Sequence, residues 1–290
     1  MKNILETMQP VTLAHQGIFN RYFTQYPPQC SEMTFTNIFC WTGIKNYRFC
    51  EYSDHLLVSY QRASESEPRF FPPVGEHPKD LMLEPLPGLR AYSWVRIPPI
   101  LSEHLPQTAS LVFDRDNSDY YYHVAELRTL NGKKYHGKRN FVRSFAELNP
   151  TVRALDASDA PACIELQDRW LLERDGDESA EEETIAVKAA LRHFAVLPIS
   201  GIVVELDGNL VGFAIGERLN CETFVEHHEK ADRQFRGAYQ YILHTLAEAI
   251  AQDAVFLNRG QDLGVPGLRK AKLSWQPAGL VRKYTLQACL

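Results

Sequence analysis

No stretch of this chain offers the roughly 18 consecutive apolar residues that a membrane-spanning helix needs, and the N-terminus lacks a signal-peptide pattern. A soluble, cytoplasmic protein without a transmembrane segment is the expectation. Metal and disulfide patterns are missing as well. The six cysteines (30, 40, 50, 163, 221, 289) form no C-x-x-C pair and have no zinc-like spacing to histidine, so reduced thiols and no metal are expected. Low-complexity tracts are absent, and 44% hydrophobic with 23% charged residues excludes a disordered chain. At 290 residues the chain is long enough for two domains of ordinary size.

Acid is missing from two places. Residues 263–290 carry Arg269, Lys270, Lys272, Arg282 and Lys283 without one Asp or Glu, in a chain whose net charge is -5. Just upstream, the apolar run 254–257 reads as a buried strand feeding a loop, 258–274. Gly260, Gly264 and Gly267 punctuate that loop and Pro266 fixes a backbone angle, a composition that lets backbone amides approach a ligand. An anionic ligand and a solvated basic surface both fit these charges. The second acid-free cluster is Lys133, Lys134, His136, Lys138, Arg139 and Arg143, with Phe141, Phe145 and Leu148 as the apolar stripe of a helix. It would attract a polyanion such as tRNA, or it is a solvated helix face.

In the first half, Phe35, Ile38, Phe39 and Trp41 recur at near-helical spacing and read as core. Residues 55–60, 69–72, 111–115 and 119–122 read as strands, and 124–130 as a helix stopped by Asn131-Gly132. Asn149-Pro150 marks the boundary, giving domains 1-149 and 150-290. Beyond it, Ser158 is placed to cap a helix that tolerates Pro161 in its first turn. Ser179-x-x-Glu182 reads as the capping box of a second helix, which explains the acid run 173–183 better than a metal site does. Residues 202–206 and 210–215, joined by Asp207-Gly208-Asn209, read as a hairpin, and 222–227 as a third strand. A loop, an amphipathic helix with Ile242, Leu243, Leu246 and Ile250 on one face, and the strand from Ala254 complete an α/β (α+β) pattern.

The run D-L-G-V-P-G-L-R-K-A-K-L-S-W-Q-P (262–277), with Lys283-Tyr284, resembles the signature of the family named after the C-terminal domain of phosphatidylglycerol lysyltransferase. S-E-M-T-F-T-N-I-F-C-W (31–41), F-F-P-P-V-G (70–75) and G-K-K-Y-H-G-K-R-N (132–140) match in the same order. The resemblance implies two tandem GCN5-related N-acyltransferase-like domains, each a mixed sheet flanked by helices, with more distant similarity to Fem-type aminoacyl transferases. The activity it implies is acyl or aminoacyl transfer, with aminoacyl-tRNA or acyl-CoA (acyl-coenzyme A) as donor. The acceptor, a small molecule or a lipid-like one, is left open. The phosphatidylglycerol enzymes carry this domain behind a transmembrane region that the sequence lacks, which argues against a membrane-lipid substrate.

In such folds the loop before the amphipathic helix carries Q/R-x-x-G-x-G/A, whose amides hold the pyrophosphate of acyl-coenzyme A. Gln234, Arg236, Gly237 and Ala238 are therefore the cofactor-binding candidates. Tyr239 stands where a small residue is usual, which favours a donor other than coenzyme A. Glu226, on the strand that lines the acyl site of the fold, is the candidate general base, with His227 and His228 beside it. Asp262 is the candidate for a substrate amine, and Arg269 and Lys272 for a phosphate. Asn258 and Gly264 would shape the same loop. Lys138 and Arg139 represent the second cluster, and the two clusters are expected to face one electropositive cleft between the domains. The alternatives are an acyl-CoA-dependent N-acetyltransferase and a non-catalytic ligand- or RNA-binding protein of the same fold.

Overall fold

The computed structural model describes residues 3–106, 108–174 and 176–289, and in it the chain forms two sheets of seven strands each. Two compact units divide it: 1–119 with 261–265 and 280–290, and 120–260 with 266–279. The division thus falls upstream of Asn149-Pro150. Residues 120–149 belong to the second unit, and the C-terminal segment returns to the first.

The first unit opens with α1 (Ile4–Thr7), β1 (Gln9–Pro10), α2 (Gln16–Gln25), α3 (Phe35–Cys40) and α4 (Thr42–Lys45). The Thr34 side chain accepts from the Asn37 amide and starts α3, which buries Phe35 and Ile38 as their spacing predicts; Phe39 and Trp41 are only half-buried. Then come β2 (Arg48–Tyr52), β3 (His55–Tyr60), β4 (Arg69–Phe70), α5 (Pro78–Leu83), β5 (Ala91–Ile97), α6 (Pro99–Ser102) and β6 (Leu111–Phe113). Leu57, Phe70, Tyr92, Trp94 and Ile97 pack one core of this unit.

The second sheet draws on β7 (Asp119–His123), followed by α7 (Val124–Thr129), α8 (His136–Ala146), β8 (Thr151–Ala154), α9 (Ala160–Leu172) and α10 (Glu178–Arg192). Helix α7 ends at Leu130, which adopts a left-handed φ of 49°, just before the expected Asn131-Gly132 stop. Both expected caps shift. The turn leading into α9 is capped by Asp156, not Ser158, and α10 by Asp177, whose side chain accepts from the Ala180 amide, which leaves Ser179 inside the helix. A carboxylate there also meets the positive end of the helix dipole, an advantage the serine hydroxyl lacks.

Next are β9 (Ser200–Leu206), β10 (Asn209–Arg218), β11 (Thr223–Ala231), α11 (Ala238–Ala249), β12 (Phe256–Asn258), α12 (Pro266–Leu273), β13 (Gly279–Val281) and β14 (Tyr284–Cys289). Asp207 and Gly208, at φ 50° and 79°, make the tight turn of the β9–β10 hairpin. The expected loop 258–274 is partly helix: α12 starts at Pro266, where a missing N–H costs nothing. The first sheet runs β1-β2-β3-β4-β5-β14-β6 and the second β13-β7-β12-β11-β10-β9-β8.

Two features of the second sheet position side chains. The parallel β11–β12 pairing ends at Val225 opposite Asn258, yet β11 continues to Ala231 on β10 alone. From Glu226 onward, that edge of β11 has no strand partner in β12. The β10–β11 register also slips, with Ile215 opposite His228 and Gly216 opposite Glu226, so His227 is an inserted residue. Strand side chains alternate, and one extra residue resets the alternation, which places Glu226 and Glu229 on one face and His228 and Lys230 on the other.

Candidate functional site

The face of β11 that carries Glu226 and Glu229 meets Arg259, which follows β12. The guanidinium donates from Nε to Glu226 Oε2 and from Nη2 to Glu229 Oε2, both at 2.5 Å, and all three side chains are nearly buried. Lys272 points inward from α12 and donates to the Arg259 carbonyl, and its own carbonyl accepts from the Tyr122 hydroxyl at 2.9 Å. Among the described residues one oxygen of the cluster, Glu226 Oε1, is buried and accepts from no nitrogen or hydroxyl, while the carboxyl of Glu229 lies within hydrogen-bonding reach of Glu226. One guanidinium thus serves two carboxylates. Burial works to raise Glu226, but Arg259 outweighs it and holds that carboxyl below its usual range. Burial dominates at Glu229, aided by the Glu226 charge, and moves it well above the usual range. The arrangement is a desolvated, charge-compensated cluster in which Arg259 and Lys272 balance the carboxylates.

On the opposite face of β11 Lys230 is paired, while His228 Nδ1 is buried without a hydrogen-bond partner among the described residues, 4.0 Å from Glu183. Lys230 Nζ donates to Glu183 Oε1 at 2.6 Å and lies 4.1 Å from the centre of the Trp170 ring. Burial opposes the Glu183 charge, yet Lys230 and His228 hold the carboxyl down to about 2. His227 is tied to Glu217 at 2.7 Å. The sequence places these histidines beside a candidate base; His227 instead pairs with Glu217, and His228 lies 4.0 Å from Glu183, the carboxylate that Lys230 holds.

Other expected site residues have been taken up by the fold. Asp262 is fully buried in the first unit, accepting from Arg115 Nη1 at 3.1 Å and from the Gly264 amide at 3.0 Å, so both of its oxygens already hold partners within the fold. Asn258 is equally buried and turns the chain by accepting from the Gly260 amide at 2.8 Å. Gly264 has φ +75°, and a Cβ there would lie 2.9 Å from Asp116 Oδ2, so its role is shape. Arg139 donates to the carbonyls of Leu130 and Gly132, closing the end of α7. Lys272 is buried beneath Arg259 and donates to its carbonyl. Half-buried Arg269 and exposed Lys270 line a shallow depression of about 540 Å³ with Pro266, Leu273 and Ser274.

Of the cluster at 133–143, Lys138 reaches the end of α12 within the second unit, while the tail cation Lys283 belongs to the first unit. Lys138 Nζ donates to Ser274 Oγ at 2.7 Å and sits 4.4 Å from the centre of the Trp275 ring. The Gln234 loop is also occupied with itself. The Gln234 amide donates to Asp232 Oδ1 at 2.9 Å, and the Ala238 amide to the Phe235 carbonyl at 3.2 Å. Arg236 lies 5.1 Å from the Phe141 ring centre, and Gly237 has φ +95° with the Phe141 carbonyl oxygen 2.6 Å from where a Cβ would be. That glycine is required by packing against α8. Tyr239 is half-buried, its phenol pushed up to about 12 by burial and then by Glu229.

The first unit holds a second ionic cluster. Lys283, fully buried, donates to Glu32 and, at 2.5 Å, to Asp119 Oδ1. Arg96 joins Glu32 at 2.6 Å, Asp114 at 2.7 Å and Asn117 at 2.7 Å, while Ser31 donates twice to Asp119. The tail cation without acids nearby in sequence therefore has two in space. Arg259 and Glu229 were missed in the sequence for a related reason: a three-residue spacing on a strand separates Glu226 from Glu229 unless a bulge intervenes.

Among the described residues no group of histidine, cysteine, aspartate and glutamate is arranged to hold a metal, and no helix is long and apolar enough to cross a membrane. The family described as phosphatidylglycerol lysyltransferase, C-terminal, matches residues 23–287. A conserved protein of unknown function from Bacteroides thetaiotaomicron VPI-5482 is 26% identical, with 97% of this chain and 98% of that one covered and a TM-score of 0.87. The structure of L-PGS from Bacillus licheniformis shares the fold at 12% identity, covering 93% of this chain and 90% of that one, with a TM-score of 0.64. An uncharacterized protein of Mycoplasmoides gallisepticum is 24% identical over 184 residues, which is 61% of this chain; the match spans 58% of that relative's length. The two mixed sheets flanked by helices are the fold that the chain shares with L-PGS.

Proposed function

The chain belongs to the phosphatidylglycerol lysyltransferase C-terminal family, and from that premise we propose that it is an aminoacyl transferase using aminoacyl-tRNA in the cytoplasm. The observation that carries this reading is Glu226 Oε1, a buried carboxylate oxygen that accepts from no nitrogen or hydroxyl among the described residues, beside an edge of β11 that β12 leaves open. A desolvated acceptor of that kind suits the α-ammonium of an aminoacyl group, whereas a plain acetyl group offers it nothing. Glu226 is then an anchor for the donor and not the general base, because Arg259 keeps it a weak base. The acceptor's amine or hydroxyl attacks the ester carbonyl of the held aminoacyl group. A new C–N or C–O bond forms, the ester C–O bond breaks, and the departing ribose oxygen takes the proton that the nucleophile loses. The exposed cations Lys133 and Lys270, with half-buried Arg269, would neutralise phosphates of the tRNA. Coenzyme A is disfavoured because the Gln234 and Ala238 amides already donate within their own loop.

Filter binding at fixed salt tests the reading. Aminoacyl-tRNA should bind about tenfold or more tighter than the same tRNA deacylated, the worth of one charge-assisted hydrogen bond. Equal binding of charged and uncharged tRNA would favour the RNA-binding alternative, and tight binding of acetyl-coenzyme A would favour the N-acetyltransferase.

A further inference from the structure

Gly75, the last residue of the F-F-P-P-V-G run, has no room for a side chain: a Cβ there would lie 2.5 Å from Cδ2 of His55. The space belongs to the His55 imidazole, which is nearly buried at the start of β3. Both of its ring nitrogens meet backbone carbonyls. Nδ1 lies 2.5 Å from the Ser53 oxygen and Nε2 lies 2.8 Å from the Glu76 oxygen. A carbonyl oxygen only accepts, so each contact requires an N–H on the ring, and a neutral imidazole has just one. The ionisable groups on the flanking elements are Glu51 and Tyr52 on β2, Asp54 in the turn, and Glu76 and His77 beyond Gly75. Glu51 is held by Arg21 and Tyr22, and the side chains of Glu76 and His77 pair with each other at 3.5 Å. Among the described residues the two carbonyls are the only hydrogen-bond partners of the ring. The segments it joins are strained. Ser53 and Asp54, at φ 47° and 59°, form the two-residue turn between β2 and β3 without the glycine that such turns favour, and His77 has φ 52° just before α5.

We propose that His55 is a proton-dependent latch. As an imidazolium it donates to Ser53 and Glu76 at once and holds residues 75–77 against the β2–β3 turn; on losing a proton it releases one of them. Burial by itself favours a neutral ring. A neutral ring, however, leaves a nitrogen lone pair against a carbonyl oxygen at contact distance, so the two contacts persist together only with both protons in place. In the unfolded chain the ring has no such partners, and the folded state therefore holds the proton more firmly. The stability that the latch supplies is present below the ordinary histidine range, about 6.5, and is lost as pH rises through the titration of the folded protein. Its release loosens the bridge one residue along from His55 and Gly75. There the Leu56 amide donates to the Val74 carbonyl at 2.9 Å and the Val74 amide to the Leu56 carbonyl at 3.1 Å.

The test uses the wild-type chain labelled with nitrogen-15, whose proton–nitrogen spectra show for each imidazole whether one ring nitrogen or both carry a proton. Exposed His104 and His136 are the references. At about pH 7.5 His55 should carry a proton on both nitrogens while the references carry one. Hydrogen exchange at the Leu56 and Val74 amides, corrected for intrinsic rates, should quicken by about tenfold or more as His55 titrates, the worth of one charge-assisted hydrogen bond. His55→Gln donates only through its amide nitrogen. That variant identifies the His55 signals by their loss, and its Leu56 and Val74 amides should exchange at one high corrected rate across the same pH range. A neutral His55 ring at pH 7.5, or protection at Leu56 and Val74 that does not follow the His55 titration, overturns the proposal. Should His55→Gln fail to fold, the two wild-type measurements still decide it.

Discussion

Replacing Lys283 with methionine removes a buried cation from between two buried carboxylates while keeping most of its aliphatic stem. In the wild type Lys283 Nζ donates to Glu32 and Asp119, with no solvent exposure at Lys283 or at Asp119. The variant leaves both acids buried, with Arg96 still on Glu32 and Ser31 still on Asp119. Breaking a buried pair from one side costs about 3–5 kcal/mol, because the abandoned charge stays desolvated. For a unit of this size that corresponds to a drop of about 10–15 °C in Tm. The sign of the pH dependence identifies the cause. Burial raises wild-type Glu32, but Lys283 and Arg96 outweigh it and hold it to about 2, so its contribution is complete above about 4.5 and is lost as pH falls toward 2. Without Lys283 the desolvation is less opposed and the folded-state value rises, so the variant regains relative stability as pH falls. Urea unfolding followed by circular dichroism at pH values between neutral and about 4 should therefore show the gap narrowing toward acid. A gap under about 1 kcal/mol at neutral pH, the scale of a surface pair, or one that does not change with pH would refute the reasoning.

Gly237→Ala should destabilise the second unit by about 1–3 kcal/mol, since an L-residue at φ +95° is strained and its Cβ would meet the Phe141 carbonyl; a melt matching the wild type would contradict this. Lys230→Met should remove most of the stability that the ionised Glu183 supplies at neutral pH. Wild-type stability from that pair is present above about 4.5 and fades as pH falls toward 2, so the variant should differ most at neutral pH, as acid titration of the melt would show. Arg269→Ala combined with Lys270→Ala should weaken tRNA binding and flatten its log-log salt slope by about 0.7 for each phosphate no longer neutralised. An unchanged slope would remove this surface from the interface.

Local signals were legible and long-range ones were not. The Asp207-Gly208 turn, the Phe35–Ile38 face of α3 and the apolar stripe of α11 are set by residues close in sequence, and each took its expected form. The insertion of β14 between β5 and β6 was invisible, because nothing near position 284 says that its partners lie around 94 and 112. Charge was misread for the same reason. The acid-free tail suggested an exposed basic surface, yet Lys283 found acids from positions 32 and 119, and Lys272 turned inward to a backbone carbonyl. Helix α12 was concealed by Gly264 and Gly267, which read as loop punctuation while Pro266 was starting a helix. At the site, Glu226 was identified from its strand, but Glu229 needed the inserted His227 to share its face, and such a bulge leaves no mark in the sequence.

A transferase of this kind requires that the open oxygen of Glu226 receive an ammonium group. Calorimetric titration with a panel of L-amino-acid amides, which keep the α-ammonium and lack the carboxylate, measures this without tRNA or acceptor. At least one amide should bind the wild type, its N-acetyl derivative should not, and Glu226→Gln should weaken binding by about 10–100-fold, the worth of a charged hydrogen bond in a buried site. Equal affinity of the wild type and Glu226→Gln for that amide, or equal affinity for the free and N-acetylated forms, would contradict the account.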